Sequence, residues 1–291
     1  DSALEPIGAW IEQLIAESSG KDGKGILPVA GEPMVKPEKY GSDRLFVYLR
    51  STGDKSEFAS ELSSFGHPVI EFLIDSVDQL GGEFYRWEVA TAVACSIIGV
   101  NAFDQPNVQL SKTITKAMIN EFKEKNTINE DGLIFSNDKL KIYTQVPEIK
   151  DHSEPDLILK EFLGLVDKQG FIAINAFVAR DVKNHNTLQA FRKRLLETTG
   201  LTTTMGFGPR FLHSTGQLHK GGKNNGLFIV ITDEPEVDFE IPGEEMTFGA
   251  LLKAQAIGDI RALQKQNRRV LHLDFKENFL EEEYLSMLVS G

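Results

Sequence analysis

Three short stretches of this chain carry side chains that could move protons or hold an anion. The first is residues 15–21, Ile-Ala-Glu-Ser-Ser-Gly-Lys, which holds Glu17 and Lys21. Upstream, Ile7, Trp10, Ile11, Leu14 and Ile15 lie on one stripe at helical spacing, and Ser18-Ser19-Gly20 stops the helix they predict. Glu17 then falls in the last helical turn, where the macrodipole presents partial negative charge and disfavours a carboxylate. Desolvation in a site closed to water would raise its pKa further. Both effects suit a general base that accepts and returns a proton near neutral pH. A solvated acid at a helix end is the other reading that position alone allows.

The second stretch, 101–112, reads Asn-Ala-Phe-Asp-Gln-Pro-Asn-Val-Gln-Leu-Ser-Lys. Pro106 suits a first helical position, so the pattern predicts a helix running to about Lys125 with Gln105 near its N-cap. Lys112 lies seven residues beyond Gln105, close to two turns, which puts both side chains on one face. A helix N-terminus with a lysine on the same face suits a polyhydroxylated anion; a capped surface helix is the alternative. The third stretch, 208–222, reads Gly-Pro-Arg-Phe-Leu-His-Ser-Thr-Gly-Gln-Leu-His-Lys-Gly-Gly. It predicts a glycine-rich loop in which His213 stands with Arg210, Ser214, Gln217, His219 and Lys220. Loops after parallel strands are where α/β proteins bind ligands, and a histidine there can exchange a proton at physiological pH. A structural turn with an incidental histidine, or an anion-binding loop without chemistry, would read the same way.

Taken in this order, the three stretches resemble the glucose-6-phosphate isomerase family. Residues 15–21 resemble its M-E-S-N-G-K element, which holds the catalytic glutamate, and residues 103–112 its F-D-Q-x-G-V-E-L-G-K signature, whose final lysine sits in the active site. Here Asn107, Gln109 and Ser111 replace Gly, Glu and Gly of that signature. Residues 208–222 resemble the family loop G-x-N-x-x-H-S-F-x-Q-L-x-H-Q-G with one residue dropped. In ordinary isomerases that loop lies between the other two motifs, whereas here it follows both. Its wording is most similar to the isomerase half of bifunctional transaldolase/glucose-6-phosphate isomerases.

The resemblance implies a sugar-isomerase (SIS-type) three-layer α/β sandwich with a mostly parallel sheet, plus a second smaller α/β unit. It implies interconversion of glucose 6-phosphate and fructose 6-phosphate through a cis-enediol(ate), with neither metal nor organic cofactor. Lys112 and His213 would open the sugar ring and Glu17 would carry a proton between C1 and C2. Gln105, Lys21, Arg210, Gln217 and Lys220 would contact the phosphosugar substrate. The family's G-G-S and S-K-T/S-x-T phosphate grips and its G-G-R arginine have no counterpart in this sequence. The chain therefore resembles the C-terminal part of a longer enzyme, partnered by an N-terminal sugar-isomerase domain of the same polypeptide. Without that phosphate grip it should be nearly inactive alone, since catalysis draws on binding energy from remote substrate groups. A homo-oligomer, with His213 serving its own or a neighbouring subunit, stays open. A non-catalytic sugar-phosphate-binding module and a structural domain with relic motifs are the rival readings.

The elements that must position these residues alternate between strand and helix. Strands are expected at 44–50 and 69–74, around a helix at 56–64, and a helix at 83–99 is apolar nearly all round and hence buried. A Pro- and acid-rich junction at 147–155 divides a unit at 1–146 from one at 147–291. In the second, helices at 156–168, 187–199 and 247–264 alternate with strands at 171–178, 201–206, 227–232 and 270–275, an α/β pattern with a mostly parallel sheet. The 291 residues, 41% hydrophobic and 25% charged, have globular composition. No run of 18 apolar residues reads as a membrane span. A net charge of −12 argues against non-specific nucleic-acid binding. The single Cys95 cannot form an intrachain disulfide, which fits a reducing, cytoplasmic setting. His67, His152, His185 and His272 have no metal-ligand spacing, and His272 reads as a packed side chain in an apolar strand.

Overall fold

The computed structural model describes residues 2–53, 55–125, 130–276 and 280–290, with the side chains of 2, 108–112, 125 and 290 outside that description. The chain is an α/β protein with two sheets. Helix α1 (Glu5–Ser19) is followed by a parallel pair, β1 (Phe46–Arg50) and β2 (Val69–Leu73), joined through α2 (Glu57–Phe65). Helices α3 (Leu80–Ile98) and α4 (Val108–Lys125) lead to a hairpin of β3 (Leu133–Ser136) and β4 (Leu140–Thr144). Then come α5 (Pro155–Leu163), β5 (Phe171–Phe177), α6 (Val182–Thr199), β6 (Thr202–Phe207), α7 (Thr215–Gly221), β7 (Gly226–Asp233), α8 (Phe248–Lys265), β8 (Arg269–Phe275) and α9 (Glu282–Ser290). The larger sheet has the order β3-β4-β8-β7-β5-β6, and its four strands from β8 to β6 are parallel.

Alternation along the buried strands builds two cores. Ile172, Ile174, Leu227, Ile229, Leu271 and Leu273 face α5, α6 and α9 through Phe162, Leu188, Phe191 and Leu285. Phe171, Ala173, Phe228, Val230 and Val270 face the other way, onto Met118 of α4 and Ala254, Ile257 and Leu263 of α8. Strands covered on both faces read as continuous apolar runs rather than alternating ones, as β5 does. The result is three layers, helix on sheet on helix. Among the described residues no helix is long and apolar enough to cross a membrane.

Two expectations need correcting. The division at 146/147 does not separate the sheets: β3 and β4 lie before it, yet β4 pairs antiparallel with β8, Leu140 opposite Phe275 through Thr144 opposite Leu271. The junction at 147–155 follows a hairpin already committed to the second sheet. Helix α3 is also not buried all round. Cys95 is 1% exposed, whereas Tyr85, Val89, Val93 and Ile97 form a stripe with four-residue spacing that is 44–80% exposed. Its apolar composition exceeds what the described residues cover.

The two halves are clamped by Arg192 of α6, 1% exposed. Its Nη1 donates to the carbonyls of Ala30 (3.1 Å) and Gly31 (2.8 Å), and its Nη2 and Nε donate to Thr203 O (2.6 Å) and Oγ1 (3.2 Å). Glu32 closes the cluster, accepting from Thr203 N at 2.8 Å and pairing with Arg44. Replacing Arg192 with Met keeps the bulk but removes these donors, taking one from the buried Thr203 O and from the part-buried Ala30 O, while Gly31 O keeps Gln189 Nε2 at 3.0 Å. Arg192→Met should therefore lower the unfolding free energy by about 2–4 kcal/mol, read from the midpoint of a denaturant titration. A loss under about 0.5 kcal/mol, the range of ordinary surface substitutions, would show that the clamp is not needed.

Candidate functional site

The fold brings the three motif stretches together at one side chain. Gln217, in α7, is fully buried. Its Nε2 donates to Gly20 O (2.8 Å) and to Asn107 Oδ1 (2.9 Å), while its Oε1 accepts from Asn107 N (3.0 Å). One carboxamide thus holds the end of α1 and the turn before α4 against α7. Glycine makes the contact possible. A Cβ at Gly20 would stand 2.2 Å from Leu218 Cα, and one at Gly221 would stand 2.5 Å from both Asn107 Oδ1 and Gly20 O. Gly23 N completes the knot by donating to Gly221 O at 2.9 Å.

The lysines of these stretches act as struts. Lys21 is 2% exposed, and its Nζ donates to the carbonyls of Asn101 and Asp104 and to Asp104 Oδ1 at 2.8 Å. The hydrogen bond from Lys21 lowers the pKa of Asp104. Lys24 Nζ reaches Ile98 O at 3.0 Å. Lys220, 1% exposed, donates to Phe211 O at 2.9 Å and lies 2.6 Å from Asp259 Oδ1. Burial raises the pKa of Asp259 against the pull of Lys220. Arg268 Nη2 caps the end of α7, donating to Lys220 O (2.7 Å) and Gly222 O (2.6 Å).

The expectation that Lys21, Gln217 and Lys220 face a ligand is thereby corrected: their polar atoms are spent on backbone, carboxamide and carboxylate partners of the protein itself. The glycine-rich loop is corrected too. It is a tight turn at Arg210–Leu212 followed by α7, every residue of which is buried. Its glycines admit protein backbone rather than ligand. Nor does α4 begin at Pro106. Pro106 and Asn107 form a turn held by Gln217, and the helix starts at Val108. The exposed Gln105 therefore stands outside the helix, and the two-turn register that paired it with Lys112 does not apply. Lys112 itself belongs to α4, with its side chain outside the described residues.

What remains accessible at the knot is Glu17, Arg210 and His213. Glu17 is half-buried in the last turn of α1, three residues before Gly20, and its carboxylate has no ion pair or hydrogen bond among the described residues. Arg210 Nη2 donates to Ala9 O (2.9 Å) and lies 3.4 Å from Glu12 Oε1, fastening the 210–213 turn to α1. Burial raises the pKa of Glu12 more than Arg210 lowers it. His213 is exposed, its backbone N–H donating to Arg210 O at 3.0 Å. An apolar groove of about 720 Å³ runs along α1, lined by Ile11, Ile15, Val47, Trp87 and Ala94 among others. Neither Glu17 nor His213 lines it. No group of three or more His, Cys, Asp or Glu among the described residues could hold a metal ion.

Asn107 and Asp259 were not singled out by sequence. Asn107 looked like a departure from a glycine, and its amide is the knot's second acceptor. Asp259 could have been noticed as an acid amid Ala254, Ala256, Ile257 and Ala262 on an apolar helical face. His219 is a further buried titratable group here, stacked on Phe211 with ring centroids 5.7 Å apart. Its Nδ1 has no hydrogen-bond partner among the described residues.

No protein-family model matches the chain. Curated glucose-6-phosphate isomerases do. The protein of Rubrobacter xylanophilus is 30% identical over 155 residues, 40% of this chain and 36% of that protein. The protein of Heliobacterium modesticaldum is 28% identical over 152 residues, 38% of this chain and 34% of that protein. A probable glucose-6-phosphate isomerase of Methanococcus maripaludis is 28% identical over 146 residues. The chain spans about a third of the length of these relatives. Among solved structures, a hypothetical protein from Thermus thermophilus aligns with 98% of this chain and 73% of that one, at 14% identity and a TM-score of 0.37, too distant to inform fold or function.

Two outcomes follow from the knot. Gln217→Leu would leave Gly20 O and both polar groups of Asn107 without their partner. It should cost about 2–4 kcal/mol and strip hydrogen-exchange protection from the Asn107 amide; unchanged protection would show that another group holds the turn. His219 gives a pH signature. Burial first, then the charges of Lys220, Arg268 and Arg210, push its pKa down to about 3. The unfolded chain, titrating near 6.5, takes the proton first, so this contribution is present above about pH 6.5 and is lost as pH falls toward the folded value. His219→Phe should flatten the acid limb of stability against pH by about 1.4 kcal/mol per pH unit between those limits. Parallel limbs in the two proteins would contradict a neutral buried His219.

Proposed function

We propose that this chain is the C-terminal part of an aldose-ketose isomerase that interconverts glucose 6-phosphate and fructose 6-phosphate, of the kind fused to transaldolase. The observation that carries the reading is the Gln217 knot. Three stretches spread over about 200 residues, each similar to a glucose-6-phosphate isomerase motif, meet at Gly20, Asn107 and Gln217. Similarity to curated isomerases at 27–30% identity supports it from a separate direction. The reaction is intramolecular proton transfer through a cis-enediol(ate), without metal or organic cofactor.

Glu17 is the base of this reading. Its carboxylate has no partner among the described residues, stands at the negative end of a helix and is held in place one turn from the buried knot. It would take the proton from C2 of the open-chain aldose and return it to C1. Lys112 and His213 would assist ring opening, His213 from an exposed position that suits service to its own or a neighbouring subunit in a homo-oligomer. Gln105 and Arg210 would contact the phosphosugar. Since Lys21 and Lys220 are internal struts, the phosphate would be gripped by the N-terminal sugar-isomerase domain of the same polypeptide. The exposed α3 stripe and the groove beside β1 supply apolar surface for that partner. The setting would be the reducing cytoplasm.

A coupled isomerase assay on the intact polypeptide tests the reading. Glu17→Gln should lower kcat by about 10²–10⁴-fold, the usual contribution of a proton-transferring group, and leave KM nearly unchanged. Exchange of the C2 proton with solvent should disappear with it. Retention of more than about a tenth of wild-type turnover, well short of that loss, would remove Glu17 from the base position.

A further inference from the structure

A second crevice lies away from the knot, where the topology of the larger sheet changes direction. From β5 the chain crosses to β6 on one side, and from β7 it crosses to β8 on the other, while β5 and β7 are neighbours. In open parallel sheets such a switch point leaves a crevice outside the carboxyl ends of the two strands, and ligands bind there. Here the crevice encloses about 500 Å³. Phe177 and Ala179 line it from the end of β5, Asp233 and Glu234 from the end of β7, and the first turns of α6 and α8 close its sides. It shares no lining residue with the Gln217 knot.

The charges facing this space are unevenly satisfied. Asp181 caps α6 by accepting from Asn184 N at 2.7 Å, and Asp238 accepts from Gly249 N at 2.7 Å. Lys253 is committed to Glu130 (2.8 Å) and Asp274 (3.2 Å). Beneath it, Thr232 Oγ1 donates to Asp274 Oδ1 at 2.5 Å and meets His272 Nε2 at 2.8 Å, so the floor is a polar network. Lys183, Glu234 and Glu236 also line the space, and the half-buried Asp233 has no ion pair among the described residues. Burial pushes it up to about 6 against a hydrogen bond from its own backbone N–H, helped by the charges of Asp274 and Asp181. Phe239 and Phe248 flank the opening, 67% and 54% exposed. A half-buried carboxylate with no ion pair among the described residues, beside exposed rings, is complementary to a cation with an apolar body.

We propose that this crevice binds a small organic cation, its ammonium or amidinium group on Asp233 and its apolar body against Phe239 and Phe248. The planar amidinium is the best-matched head group, since it can donate two parallel hydrogen bonds to one carboxylate. The site is independent of the isomerase reading and would stand if that reading failed.

The test is calorimetric titration of the chain with benzamidine, and with benzyl alcohol as its neutral counterpart, near pH 8 and near pH 4.5, on either side of the Asp233 value. Benzamidine should bind near pH 8 and weaken by about 10-fold or more, the loss of one charge-assisted pair, at the lower pH. Asp233→Asn should produce a similar loss already at pH 8 and abolish most of the pH dependence. Phe239→Ser, at an exposed position that does not support the fold, should weaken binding as well. Circular dichroism of both variants should match the parent. Equal affinity for benzamidine and benzyl alcohol, or benzamidine binding unaltered in Asp233→Asn, would overturn the assignment. So would binding unaltered by Phe239→Ser, or no heat from either probe at millimolar concentration.

Discussion

A carboxamide buried away from water must find protein partners for its N–H groups and its carbonyl, or cost the protein the full desolvation of each. Gln217 meets that requirement by drawing on two distant backbones at once. Gly20 O and Asn107 take its donors, and the Asn107 N–H fills its acceptor. The geometry tolerates no bulk, because a methyl group at Gly20 or Gly221 would overlap α7 or the amide itself. The position of Glu17 follows from this constraint. The end of α1 can sit only where Gln217 and Leu218 receive it, and Glu17 precedes that end by less than one turn.

Buried cations carry out the same task at a larger scale. Lys21, Lys220, Arg192 and Arg268 all place their charged ends on backbone carbonyls, and Lys21 and Lys220 add a carboxylate. Carbonyls left over at loop and helix ends need donors, and one long side chain supplies several across elements far apart in sequence. This use has a chemical consequence. A lysine whose ammonium is surrounded by carbonyls and an acid has little positive potential left for an external phosphate, so the richness of these motifs in Lys does not amount to an anion site.

Much of the second sheet was legible from sequence because its strands are runs of Ile, Val, Leu and Phe between polar helices, a pattern that parallel sheets covered on both faces impose. Asp181, which caps α6 six residues before the expected start at Thr187, is a capping residue that periodicity alone overlooks. The β3–β4 hairpin went unread because its strands are short, Leu133–Ser136 and Leu140–Thr144, and are joined by a turn without a strong glycine signal. The site was legible as three strings but not as a contact. Spacing can place Gln217 on a helix, yet nothing local says that it faces Gly20 and Asn107. The misreading of Lys21 and Lys220 has the same origin, since exposure is a tertiary property and lysine is usually exposed.

The two halves of the molecule differ in how completely they bury apolar surface, and this bears on where rigidity comes from. The six-stranded sheet has helices and a core on each face, whereas β1 and β2 form a separate parallel pair beside a stripe of exposed Tyr85, Val89, Val93 and Ile97. Two strands alone are marginal. Helix α1 belongs by sequence to the weaker half, packing on α3 through Ile7, Ile11 and Trp87, but its last turn is fastened to α7 and hence to the stronger one. The carboxylate proposed above as a base would benefit from a rigid support. Glu17 takes that support from the larger sheet through Gln217, which is how a residue near the chain's beginning is positioned by a helix two hundred residues later.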